Sequence, residues 1–244
     1  MSDSEKQVEC GEHGSGPSTF VCQHLVSGRS QGFHYAGDDE DPDDPYPDAW
    51  CDRCEDAFRA EGEWNDRSEA AAKITLLCGG CYEIARERNW RQDEDAFAQL
   101  MRDAVAYLDV AQSAMREHFR LGDYDRYHWD QDTGELVFSS AGTPKVVAAI
   151  QFVGSLSTRS NTWLWSWANK SYLESVRREV RKVRKIGDER RFMKLAAARW
   201  PATEADGWDM TAVTAYLLRA QGVYRSPGDT GFTFMVMTDV KWAQ

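Results

Sequence analysis

Apolar positions fall into two regimes along the chain. Before residue 90 they are scattered, with few long periodic runs to mark core-facing elements. Over 91–119 they recur at Phe97, Leu100, Met101, Ala104, Val105, Leu108, Ala111, Met115 and Phe119. Steps of three and four trace one stripe and predict a long amphipathic helix. Asp93, Glu94 and Asp95 suit its positive N-terminal end, and Gly122 suits its stop. The period then drops to two. The runs 127–129, 135–138, 145–155 and 162–168, separated by turn residues, predict an antiparallel meander of four strands. Read as a strand, the last run puts Trp163, Trp165 and Trp167 on one face. Packing beneath the long helix is the expectation for that row. A stacking platform for a partner is the alternative.

Helical signals return after Asn169. Leu173, Val176, Val180 and Val183 form a narrow stripe. The opposite face holds Arg177, Arg178, Arg181, Lys182, Arg184 and Lys185, a basic patch able to take phosphate or an acidic partner. A solvated or internally neutralised face is the plainer expectation. A further helix is predicted from Asp209, read as its N-cap, through Met210, Val213, Leu217 and Leu218 to Gly222. A turn at 226–229 leads into 231–237, apolar on both faces and read as an inner strand. The fold class is α+β: a small module over 1–90, then an antiparallel-sheet domain packed with helices over 91–244.

The chain has six cysteines, all within its first third. Four form C-x2-C pairs, Cys51/Cys54 and Cys78/Cys81, a spacing at which two thiolates converge on one ion. Glycines stand between Cys78 and Cys81, which suits close backbone approach. Cys10 and His13 make a C-x2-H pair, and Cys22 and His24 a C-x-H pair. Grouped by neighbourhood, Cys51, Cys54, Cys78 and Cys81 form one tetrahedral site, and Cys10, His13, Cys22 and His24 a second. His34 can replace His24, and the pairs can also combine otherwise between the sites. Two structural Zn2+ ions are therefore expected, replacing the apolar core that the module lacks. Four protein ligands leave no open position for catalysis. A helix opening at the last knuckle makes the module treble-clef-like. Between the clusters, the acidic run 38–45 reads as a solvated loop.

Charge sharpens the division. The formal net charge is −11, yet residues 1–100 hold 23 acidic and 9 basic side chains, whereas 101–244 hold 17 and 20. An acidic N-terminal part repels phosphate and suits a basic protein partner. No run of about 18 apolar residues spans a membrane, and the first residues lack a signal-peptide pattern, so the expected location is cytoplasmic.

The run Trp163-Leu164-Trp165-Ser166-Trp167-Ala168-Asn169 resembles a bacterial family of unknown function with a W-x-W-A-N signature after a β-meander and a closing hydrophobic strand, here 232–240. The resemblance covers about residues 91–244 and transfers no activity. Related small α+β domains occur among bacterial immunity proteins, so the resemblance implies a protein partner such as a toxin, and the acidic N-terminal part suits a basic one. The front part is similar to zinc modules of uncharacterised bacterial proteins.

No G-x-S-x-G, P-loop, G-x-G-x-x-G or H-E-x-x-H is present. His118, His128, Asp125, Asp130 and Asp132 are the residues from which an unrecognised acid/base or metal site would be built. The leading expectation is a non-enzymatic zinc-binding protein acting in protein–protein recognition, of the immunity type. The alternatives are a nucleic-acid-associated zinc protein using the basic helix 177–185, and an enzyme with its site in the sheet domain.

Overall fold

A computed structural model describes residues 7–37, 41, 43–130 and 133–243. Its contacts divide the chain into two units, Met1–Gln92 and Asp93–Gln244.

In the first unit, β1 (Gln7–Cys10) and β2 (Gly14–Cys22) form a hairpin that closes at Cys10 opposite Gly14. Gly14 takes a φ of +71°, which favours glycine. Then come α1 (Gln23–Ser27), β3 (His34–Tyr35), β4 (Ala49–Trp50), α2 (Asp52–Glu61), α3 (Asp66–Ala72), β5 (Ile74–Cys78) and α4 (Gly79–Asn89). Strand β2 is the hub. It runs antiparallel to β1 and β5, and parallel to β4 through Val21 opposite Ala49. The unit has a small core of its own, with Val21, Leu25, Phe33, Ala49 and Tyr82 clustered around Cys22, Cys51 and Cys54. The Tyr82 ring takes Phe33 and Tyr46 edge-on, at 5.6 and 5.7 Å between centroids. Phe33 and Tyr46 lie outside helices and strands, so they add core without adding periodicity. Within the acidic run, residues 38–40 and 42 lie outside the described residues. Asp43 is only 2% exposed, so at this position the loop is buried, not solvated.

The second unit begins with α5 (Glu94–His118), capped by the Asp93 carboxylate, which accepts from the Ala96 N–H. The sheet follows as β6 (Arg126–Asp130), β7 (Glu135–Ser140), β8 (Thr143–Ser157) and β9 (Thr162–Trp165). It is completed, after helices α6 (Glu174–Arg190) and α7 (Met193–Ala196), by β10 (Arg199–Pro201), helix α8 (Glu204–Leu218), β11 (Gly222–Gly228) and β12 (Gly231–Trp242). Every pairing in this sheet is antiparallel. Strand β8 pairs with the whole of β12 along one edge, from Val146 to Ser157. Its other edge is shared, β7 taking the first half and β9 the last four residues. That split curls the sheet around a core of Trp163, Trp165, Trp167, Phe192, Trp200, Met210 and Phe234.

Three expectations change here. First, β9 ends at Trp165, and Trp167 lies in a 3-10 turn, Ser166–Ala168. All three tryptophans are nonetheless 0–1% exposed, so they form core and offer no surface to a partner. Second, the last helix starts at Glu204, five residues before Asp209. Thr203 is its N-cap and forms a reciprocal capping box with Asp206, leaving Asp209 inside the helix. Third, the run read from 231 to 237 extends to Trp242, and it has a hairpin partner, β11, that the apolar pattern does not announce.

Candidate metal centres

The metal-ligand candidates occupy the ends of regular elements. Cys51 is the N-cap of α2 and Cys54 its third residue; Cys78 and Cys81 hold the same two positions on α4. N-cap and third residue face each other across a helix start, which explains how a C-x2-C pair converges. Cys22 is the N-cap of α1, with His24 two residues on. Cys10 ends β1, and His13 stands in the hairpin turn before β2. Helix N-termini add positive potential beside the sulfurs.

The structure gathers these residues into two groups: Cys10, His13, Cys78 and Cys81, and Cys22, His24, Cys51 and Cys54. In each, one ligand atom from every residue lies within 4.8 Å of the others. The pairs are thus nested, first with fourth and second with third. This corrects the grouping by sequence neighbourhood, which put Cys51 and Cys54 with Cys78 and Cys81, and Cys10 and His13 with Cys22 and His24. The cause is strand direction. Parallel pairing of β2 with β4 brings Cys22 and Cys51 to the same end. Antiparallel pairing of β2 with β5 sets Cys78 opposite Ser18, back toward the β1–β2 turn. From Ser18 to Cys22 is about 13 Å of strand, which separates the two groups. His34 belongs to neither group, because its Nε2 is engaged by the Asp52 carboxylate at 2.8 Å.

The distances test the fit to a metal. Zinc held tetrahedrally, at about 2.3 Å from sulfur and about 2.0–2.1 Å from nitrogen, gives edges of about 3.8 Å between sulfurs and about 3.5–3.6 Å between sulfur and nitrogen. In the first group, the His13 Nδ1 lies 3.6, 3.5 and 3.5 Å from the sulfurs of Cys10, Cys78 and Cys81. The Cys10 and Cys81 sulfurs are 3.8 Å apart. In the second, the Cys54 sulfur and the His24 Nδ1 are 3.3 Å apart. These residues can hold metal ions such as zinc. The glycines between Cys78 and Cys81 leave room for neighbouring rings: a Cβ on Gly80 would stand 2.6 Å from the His13 ring, and one on Gly79 2.7 Å from the Tyr46 ring.

Proton distribution points the same way. Backbone N–H groups of Glu12 and His13 bring Cys10 down to about 6. Burial, with the thiols of Cys78 and Cys10, pushes Cys81 up to about 12. In the second group, hydrogen bonds from the Cys22 and Cys54 thiols hold Cys51 far below the thiol range. Cys22 is raised chiefly by Cys51, and Cys54 chiefly by Cys22 and then Cys51. In the first group Cys10 ionises readily and Cys81 resists; in the second Cys51 ionises readily and Cys22 and Cys54 resist. A divalent cation held at either cluster would favour ionisation of its thiols together. The groups differ in access: Cys22, Cys51 and Cys54 are buried, whereas Cys10 and Cys81 are half-buried and His13 is exposed.

The basic helix face presents fewer free cations than its sequence suggests. Arg177 and Arg181 are half-buried and both bind Glu174, Lys182 pairs with Glu179, and Lys185 with Glu189. Arg184 faces Asp188 and lies over the Trp167 ring, 4.5 Å from its centroid. Of the six, Arg178 alone has no such partner among the described residues. The counter-charges, Glu174, Glu179, Asp188 and Glu189, all sit on α6, so the helix itself offsets part of the charge of its six cations. His118, His128, Asp125 and Asp130 form no metal-holding group among the described residues, and Asp132 lies outside them.

Fold and site together define an α+β protein whose first unit carries two clusters, each of three cysteines and one histidine, able to hold metal ions. The family described as a family of unknown function (DUF6882) matches residues 98–240, and the chain belongs to it. The match includes the 163–169 run and stops short of every cluster residue. No curated protein and no solved structure matches the chain. No helix among the described residues is long and apolar enough to cross a membrane.

Proposed function

We propose that the first unit is a treble-clef-like module held by two structural zinc ions, and that the chain is a non-enzymatic protein of protein–protein recognition. The observation that carries the metal reading is the set of edges around His13, which match a tetrahedral site of three sulfurs and one nitrogen within about 0.1 Å. Four protein ligands per ion close the coordination sphere, so the metal fixes structure. Native mass spectrometry of the purified chain should find two zinc ions. A zinc-free chain with six reactive thiols would overturn the reading. Chelation should expose the first unit to proteolysis while leaving the second intact, since the second has its own tryptophan core.

Recognition rests on charge and exposed apolar surface. Residues 1–92 hold 20 acidic and 9 basic side chains, a net of −11, and 93–244 hold 20 of each, a net of zero. Six zinc-bound thiolates and two Zn2+ would take the first unit from −11 to −13 (−11 − 6 + 4). Beside that charge, Phe20 and Leu76 pair across β2 and β5 at 51% and 44% exposure. A basic protein with an apolar centre complements this surface, and a toxin neutralised by the chain is the form of partner the resemblance implies. Co-expression with a basic toxin should protect cells, and a Phe20→Asp, Leu76→Asp chain that keeps two zinc ions should not. Equal protection by both chains would count against the surface.

A further inference from the structure

The second unit contains a cleft of about 580 Å³ that the metal centres do not involve. One wall is the last part of α5, with Met115 and Arg116, and the turn that follows it. The opposite wall is sheet, including Phe138 of β7, Tyr224 of β11 and Met237 of β12. All its lining residues fall within the segment matched by the family.

Its chemistry is one-sided. The charged residues lining it are Arg116 and Arg225, with no carboxylate among them. Arg225 is already occupied: it binds Glu204 and lies over the Phe232 ring, 4.1 Å from its centroid. Arg116 is exposed and makes no hydrogen bond or ion pair among the described residues. The floor is apolar, with Leu136 and Met237 nearly fully buried. Gly222 keeps that floor compact, because a Cβ there would stand 2.6 Å from the Met237 methyl and 2.9 Å from that of Met115. Two methionines at the base can shift to fit different apolar shapes. Tyr127, 61% exposed, meets Tyr224 edge-on at the side of the cleft.

We infer that this cleft binds a small amphipathic carboxylate, its apolar body against Met115, Phe138 and Met237 and its carboxylate on the Arg116 guanidinium. The volume is that of a small-molecule site. A guanidinium takes a carboxylate through two parallel hydrogen bonds, a geometry that an amine head group cannot reproduce.

Two probes of matched shape test the inference. In calorimetric titrations of the full chain, 4-phenylbutyrate should bind at least about tenfold more tightly than 4-phenylbutylamine, one charge-assisted contact being worth that much. Arg116→Gln should remove that preference, with the circular dichroism spectrum unchanged because the side chain is exposed. Arg116→Lys should retain part of it. Equal binding of acid and amine, an unaltered preference in Arg116→Gln, or no binding of either probe at millimolar concentration would overturn the inference.

Discussion

Single residues decide how closely backbones approach in both units. Gly80 leaves room for the His13 ring in the first cluster, so Gly80→Val should lower the zinc content from two ions to one, read by native mass spectrometry. In β8, a Cβ on Gly154 would lie 2.4 Å from the Trp163 ring and 2.8 Å from the Leu164 carbonyl oxygen. The carbonyl belongs to a paired strand and cannot swing aside. Gly154→Ala should therefore destabilise the second unit by about 1–3 kcal/mol, measured by urea unfolding followed through tryptophan fluorescence. The glycines at 79 and 80 can be read in the sequence, because they stand between two ligands. Gly154 cannot, because the residue it spares, Trp163, comes from a different strand.

At the scale of elements, helix starts and ion pairs carry the account. Stripe and caps on one segment are enough to reveal α5, since a 25-residue helix repeats its pattern many times. The start of α8 is harder to read because two acidic residues, Asp206 and Asp209, both suit a helix N-terminus, and the Thr203 capping box decides between them. In α6 the hydrogen bonds from Arg181 and Arg177 hold the Glu174 carboxyl down to about 2. A carboxylate lowered on folding stabilises above its ordinary value and loses that contribution as pH falls through the folded value. The first turns of α6 should thus loosen between about pH 4.5 and 2, seen as lost amide exchange protection, and Glu174→Gln should abolish this pH dependence. An unchanged profile in that variant would contradict the assignment.

For the whole molecule, the division of labour is visible in charge before it is visible in contacts. All of the net −11 falls in the first unit, and the second is balanced. The eight cluster residues are legible from spacing: Cys51/Cys54 and Cys78/Cys81 as N-cap and third-residue positions that translate into C-x2-C, and Cys10/His13 and Cys22/His24 as histidines two or three residues from a cysteine. Their partnership is not, because it depends on β2 running parallel to β4 and antiparallel to β5, and β4 spans two residues and β5 five. Strands that short leave almost no alternation to read. The nested arrangement can be tested without a structure. Average sulfur and nitrogen counts per metal cannot decide it, since both groupings give three sulfurs to one nitrogen overall. The zinc content of the Cys10→Ser, Cys81→Ser double variant can. Both substitutions fall in one cluster of the nested arrangement, so native mass spectrometry should find one zinc ion per chain, still bound by Cys22, His24, Cys51 and Cys54. A chain that loses both ions would show that the two cysteines serve different sites, and would contradict the account.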